Sequence, residues 1–216
     1  MIARLSSCAI AGIEAQPVEV EVHISGGLPN VLVVGLPDAA VKEASQRVKA
    51  AIRNSEFDFP SQVVIINLAP AHRRKEGSHY DLPIALGVLA AAGTLPPSRL
   101  AELMVAGELA LDGRVREVAG AMVMAECARM QGKRAMVVPA GNAAEASLVE
   151  GGGGHRGERP AGSGGGSSGA LGNPCRLGLA LQPLSPCRKG CACRRCGGRP
   201  VPSGPWRWLR RVATTC

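Results

Sequence analysis

Aromatic side chains are scarce in this 216-residue chain, which contains two Phe, one Tyr and two Trp. Both Trp lie beyond residue 150, so the core of the first 150 residues must rest mainly on Val, Ile, Leu, Ala and Met. No apolar run reaches the roughly 18 residues that a transmembrane helix needs. Residues 1–10 also lack the sustained apolar core of a signal peptide. We therefore expect a cytoplasmic protein with no membrane partner.

Acidic residues are almost absent from residues 151–216, which contain 11 Lys/Arg and only Glu158. Residues 1–150 hold 14 Lys/Arg and 16 Asp/Glu, a formal charge of −2, against +10 for the remainder. The basic character of the chain therefore belongs to its tail, and the first part alone is a poor candidate for strong DNA binding. A basic-tail adaptor that binds nucleic acid remains an alternative function.

Cysteine divides in the same way, because only Cys8 and Cys127 precede residue 150. Two isolated thiols in such a domain are typical of a reducing compartment. The tail cysteines at 187, 191, 193 and 196 are irregularly spaced and lack the two-pair C-x2-C…C-x2-C form of zinc sites, so no metal site is predicted.

Residues 1–150 predict an α+β domain, in which helices pack on a mixed sheet. Strands are expected over residues 2–11, 17–25, 31–34, 63–68, 103–109, 114–118 and 135–138, and helices over 38–55, 83–92, 121–131 and 143–149. Asp38, Asp81 and Asn142 are each expected to cap a helix. Asp112-Gly113 predicts a β-hairpin between residues 103–109 and 114–118.

Residues 151–216 change character, with glycine runs at 151–154 and 164–166 and no helical periodicity. Such a segment buries too little apolar surface to offset the entropy of ordering, which predicts a disordered tail. An out-of-frame reading of GC-rich DNA would also explain its excess of Gly, Pro, Arg and Cys. That hypothesis predicts a Walker loop in another frame, within roughly 100 codons after residue 150.

Four long stretches carry a resemblance to the N-terminal domain of the YifB/ComM family of magnesium-chelatase-like AAA+ ATPases. They are SGGLPNVLVVGLPDAAVKEASQRVKAAIRNS (25–55), INLAPAHRRKEGSHYDLPIALGVLAA (66–91), GELALDGRVREVAGAMVMA (107–125) and VVPAGNAAEA (137–146). The resemblance implies a fold like the C-terminal domain of Lon protease, which is shared with a ribosomal small-subunit protein. It also implies an ATPase module beyond the chain, ring self-association, and ATP-driven branch migration of DNA in recombination and natural transformation.

The Lon catalytic dyad is a serine with a lysine base. Aligned without gaps on the matching loops, the serine position falls on His79 and the lysine position on Met122. A thioether cannot accept a proton at neutral pH, so no catalytic residue is predicted. A residual hydrolase that uses Ser78 or His79 is the enzymatic alternative.

The phosphate-binding pattern G-x-x-x-x-G-K-[ST] is missing, so ATP and Mg²⁺ are expected only with the absent ATPase module. Arg73, Arg74 and Lys75 form a basic loop, read either as solvated or as a phosphate or subunit contact. The run from Ser78 to Asp81 resembles a triad in composition only, because triad members meet in space rather than in sequence order.

Overall fold

The computed structural model describes residues 2–149 and the backbone of a strand at residues 179–183. The strands are β1 (Ile2–Ala11), β2 (Glu14–Ser25), β3 (Asn30–Val34), β4 (Val63–Ala69), β5 (Leu103–Val105), β6 (Glu108–Leu109), β7 (Val115–Arg116), β8 (Ala135–Pro139) and β9 (Leu179–Pro183). The helices are α1 (Ala39–Asn54), α2 (Asp81–Ala91), α3 (Pro97–Leu100), α4 (Ala121–Met130) and α5 (Ala143–Ala146), with 3-10 turns at Ser78–Tyr80 and Ala140–Asn142.

The main sheet has the strand order β3-β4-β2-β1-β5-β8-β9. The pairs β1–β2, β2–β4 and β8–β9 are antiparallel, whereas β1–β5, β3–β4 and β5–β8 are parallel. The sheet is therefore mixed and has helices packed on it, which confirms the predicted α+β architecture.

Helix α2 forms the centre of the larger core, and all eleven of its residues are buried. Its small residue Gly87 lies against Leu5 and Val22 of the sheet. Helix α4 packs in a second buried cluster with Cys8, whose side chain is on the opposite face of β1 from Leu5 because strand side chains alternate. The sheet is thus covered by α1 and α2 on one face and by α4 on part of the other.

Three sequence predictions need correction in the second half of the domain. The segment 103–109 is two strands, of which β5 joins the main sheet and β6 pairs with β7 in a separate hairpin. The predicted hairpin is present, but its loop is longer than two residues, since Ala110 N donates to Arg114 O at 2.9 Å and leaves residues 111–113 between them. Gly113 in this loop has a φ of 84°. Asn142 does not cap α5. Its Oδ1 accepts a hydrogen bond from Val118 N, and its Nδ2 donates one to Val118 O.

The prediction of a wholly disordered tail is wrong at residues 179–183, because β9 pairs along the full length of β8. Antiparallel pairing satisfies the backbone N–H and C=O groups at the β8 edge of the sheet. It does not require apolar periodicity, which the tail sequence lacks. The tail cysteines and both Trp residues lie outside the described residues.

Within residues 2–149 and 179–183, the helices are all too short or too polar to cross a bilayer. The same residues contain no group of three or more His, Cys, Asp or Glu side chains with the geometry of a metal site.

Candidate functional site

The loop between β4 and α2 is fixed to the turn that precedes α1 by a buried lysine. The side chain of Lys75 is 0% exposed, and its Nζ donates to the carbonyl oxygen of Gly35 at 2.9 Å and to that of Pro70. Two main-chain hydrogen bonds join the same two segments: Lys75 N donates to Leu36 O at 3.2 Å, and Asp38 N donates to Lys75 O at 3.0 Å. Lys75 therefore joins two loops that are distant in sequence.

This geometry separates the three basic residues that the sequence grouped together. Lys75 has its charge directed inward, so its predicted role as a phosphate or subunit contact is wrong. The Arg74 side chain is exposed and its Nε lies 3.1 Å from Glu76 Oε1. For Arg73 and Arg74, a phosphate or subunit contact stays a prediction.

The electrostatics of Lys75 follow from its position. Burial lowers the pKa of the Lys75 amine, and the nearby positive charge of Arg73 lowers it further. The two carbonyl oxygens partly replace the water that the ammonium loses. A lysine with a lowered pKa could in principle act as a base, but this one is bonded to the backbone.

Asp38 provides the second link between the two loops. Its Oδ1 accepts a hydrogen bond from Val41 N at 2.8 Å, which confirms the predicted N-cap of α1. Its Oδ2 accepts a longer bond from Gly77 N at 3.4 Å. Gly35 lies so close to the Leu68 main chain that a Cβ would overlap it, and its φ of 97° also requires glycine.

Asp81 does not cap α2, contrary to the sequence prediction. It is the first residue of the helix, is fully buried, and pairs with Arg47 through two bonds of 2.7 and 3.0 Å. Its Oδ2 also accepts a bond from Leu109 N at 3.3 Å. Burial raises the pKa of the Asp81 carboxyl, and the Arg47 guanidinium partly opposes this shift. The carboxylate thus connects α1, α2 and the β6–β7 hairpin.

The other members of the Ser78–Asp81 run also have separate partners. The hydroxyl of Ser78 donates to Glu108 Oε2, whereas His79 Nε2 lies 2.8 Å from the main-chain oxygen of Cys8. Because a carbonyl oxygen only accepts, His79 carries its proton on Nε2. Burial lowers the pKa of His79 and favours the neutral ring.

Tyr80 completes this run and takes part in none of these bonds. Its ring lies 4.1 Å from that of His79, and its buried hydroxyl has no hydrogen-bond partner within residues 2–149. Burial raises the pKa of the Tyr80 phenol. The four side chains therefore do not converge as a catalytic triad.

The two positions aligned with the Lon dyad differ in their surroundings. His79 is buried with its ring bonded to β1, whereas Met122 lies on α4 and is 44% exposed. Glu108, which accepts the bond from Ser78, also lies 3.4 Å from the Arg116 guanidinium. In the described part of the chain, no Lys or His side chain is bonded to Ser78.

The contacts of Arg47 with Asp81 and of Glu108 with Ser78 were not predicted from the sequence. Arg47 lies on the polar face of α1, where an arginine is normally solvated, and its carboxylate partner is 34 residues away. Glu108 belongs to a two-residue strand that no periodicity reveals. The only sequence signal was the clustering of polar residues before an apolar helix.

A family model described as "Subunit ChlI of Mg-chelatase" matches residues 20–142 of the chain. YifB of Salmonella typhimurium is 48% identical over 141 residues, which are 65% of this chain and 28% of YifB. YifB of Escherichia coli is 47% identical over 143 residues, or 66% of this chain and 28% of that protein. The competence protein ComM of Haemophilus influenzae is 44% identical over 148 residues, which are 68% of this chain and 29% of ComM.

The chain thus matches less than a third of the length of each of these curated relatives. The matched region contains the whole loop between β4 and α2. It also contains the turn before α1 to which Lys75 and Asp38 bind that loop.

Proposed function

Because the chain belongs to the ChlI family of Mg-chelatase subunits, in its YifB/ComM group, we propose that residues 1–150 act as a non-catalytic assembly domain. In this proposal the domain corresponds to the N-terminal part of the longer relatives and has a Lon-like fold. It supports ring formation, or couples the ring to DNA, whereas ATP and Mg²⁺ bind in an ATPase module outside the chain. A cytoplasmic location belongs to the same proposal.

One observation carries the proposal: the polar groups that a hydrolase would use are committed to structural bonds. Ser78 is bonded to Glu108, His79 to a backbone carbonyl, and Lys75 to two backbone carbonyls. The Lon dyad activates its serine with a lysine base, whereas the base that Ser78 contacts is the Glu108 carboxylate, which also lies 3.4 Å from the Arg116 guanidinium. The buried groups instead hold α1, α2 and the hairpin in fixed positions, as a scaffold requires.

A chimera tests the assembly role. Residues 1–149 of this chain would replace the segment that they match in ComM of Haemophilus influenzae. Ring assembly and ATP-driven migration of a four-way DNA junction would then be measured by sedimentation and by gel assay. We expect the chimera to retain both properties at about the ComM level, within roughly threefold, since the scaffold contacts are internal to the domain.

The matched control is the same chimera with Asp81→Ala, which removes the buried partner of Arg47. It should lose assembly together with the fold of the domain. A chimera that folds, as judged by circular dichroism, but assembles no ring and moves no junction contradicts the proposal.

A further inference from the structure

Strand β3 forms one edge of the main sheet. It pairs with β4 on one side, and within the described residues no strand lies on its other side. Natural edge strands are usually blocked by Lys, Pro or a bulge, because their unpaired backbone groups otherwise bind another strand. The five residues of β3, Asn-Val-Leu-Val-Val, contain neither a charge nor a proline.

The side chains at this edge are also unusually apolar for a surface. Leu28, Leu32, Val34 and Leu36 are 87%, 45%, 46% and 54% exposed. Val31 and Val33 point to the opposite face and pack against the main core. Apolar residues that line one exposed edge are typical of an interaction surface. The backbone of β3 has one of its N–H groups satisfied locally, since Val31 N donates to Asn30 Oδ1 at 2.9 Å. The four exposed residues, with the backbone of β3, are called the β3 edge below.

The pattern of the β3 edge is nearly symmetric about Leu32. The exposed leucines lie four residues before and four residues after it, at positions 28 and 36, and a proline follows each of them. An antiparallel pairing of β3 with a second β3, centred on Leu32, would place Asn30 opposite Val34 and Leu32 opposite Leu32. Such an isologous contact brings no like charges together.

The neighbouring strand extends this match. The register of β3 and β4 places Leu32 beside Ile65 and Asn30 beside Val63. Two copies paired edge to edge would therefore form a continuous row of four apolar side chains, Ile65 and Leu32 from each copy. Cross-strand apolar pairs of this kind stabilise a sheet.

We infer that the β3 edge binds the β3 edge of a second copy of this chain, forming a two-fold symmetric sheet across both copies. This inference goes beyond the proposed function, because ring closure requires head-to-tail contacts on other surfaces. The β3-edge dimer can therefore be absent while the proposed assembly role holds, and the reverse is also possible. The contact is small, so the dimer should be weak, with a dissociation constant that is roughly micromolar or higher.

Analytical ultracentrifugation of the full chain tests the inference. We expect a monomer–dimer equilibrium, and Leu32→Lys should weaken the dimer about tenfold or more because two ammonium groups would meet at the two-fold axis. Ile13→Lys is the matched control, since Ile13 is 90% exposed on the β1–β2 turn, and it should leave the dimer unchanged. Circular dichroism of both variants checks that the fold is intact.

A photo-crosslinking amino acid at position 32, in a mixture of ¹⁴N- and ¹⁵N-labelled chains, identifies the occupant. Mixed-isotope crosslinks to residues 28–36 support the inference. Crosslinks within one chain, or to any other part of a second copy, overturn it. A chain that stays monomeric at about 0.5 mM overturns it as well.

Discussion

At the residue scale, Lys75 shows how a charge can become part of a core. It is among the largest fully buried side chains, and its amine is bonded to the carbonyls of Gly35 and Pro70. A buried ammonium is tolerated only where acceptors replace its water shell. The basic loop between β4 and α2, which resembles a binding surface in sequence, therefore links β4, α1 and α2 through the hydrogen bonds of Lys75.

This role predicts that Lys75→Met destabilises the fold by about 3 kcal/mol. The substitution keeps most of the apolar stem but leaves the carbonyl oxygens of Gly35 and Pro70 without their charged donor. The free energy of unfolding, from urea titration followed by circular dichroism, measures the effect.

Lys133→Met is the control for this prediction, because Lys133 Nζ also donates to a carbonyl, that of Ala101, but at the surface. A surface hydrogen bond contributes little, and the change should stay within about 0.5 kcal/mol. If both substitutions lower the free energy of unfolding by the same amount, the buried hydrogen bonds of Lys75 do not stabilise the fold as proposed.

Residue roles were the least predictable part of the site. Asp38 was identified correctly as a cap because capping is a local interaction, with its donor three residues along the chain. Asp81 and Lys75 were misread because their partners lie 34 and 40 residues away. No pattern within a helix or loop reveals a contact of that separation.

At the element scale, periodicity was a good guide where an element is long. Helix α1 was predicted over 38–55 and spans Ala39–Asn54, and its buried residues at helical spacing are Val41, Ala44, Val48, Ala51 and Ile52. Helix α3 was missed because its four residues are too few to show a period. Strand β9 was missed because its five residues are too few to show a period within a Gly- and Pro-rich segment.

Helix α2 gives a prediction at this scale. A Cβ on Gly87 would lie 2.6 Å from Cγ2 of Val22 and 3.2 Å from Cδ1 of Leu5. Alanine normally stabilises a helix by about 1 kcal/mol relative to glycine. Here Val22 is stiff and cannot move away easily, so the free-energy cost of overpacking should exceed the gain in helix propensity. We expect Gly87→Ala to destabilise the fold by about 1–2 kcal/mol in urea titrations.

Gly26→Ala is the matched control, because no atom lies within 4 Å of the Cβ that would be added there. Its stability should change by less than about 0.5 kcal/mol. A stabilised Gly87→Ala variant would show that α2 does not pack against β1 and β2 as closely as described.

At the scale of the whole molecule, the chain has two parts of different character. The first combines a mixed sheet with a fully buried central helix, and its architecture was predictable because alternating patterns of period 2 and 3.6 cover most of it. The strand order was not predictable, since it depends on pairings such as β1 with β5, which are about 100 residues apart. The family assignment rests on the same first part, residues 20–142.

We propose that this domain is a scaffold with no hydrolytic centre, although its loop carries serine, histidine and carboxylate side chains together. The most direct measurement is hydrolysis of a fluorogenic peptide library by the full chain and by its Ser78→Ala variant. The scaffold account predicts that both proteins release fluorophore at the rate of the buffer alone. Turnover by the unmodified chain that disappears in Ser78→Ala would contradict it.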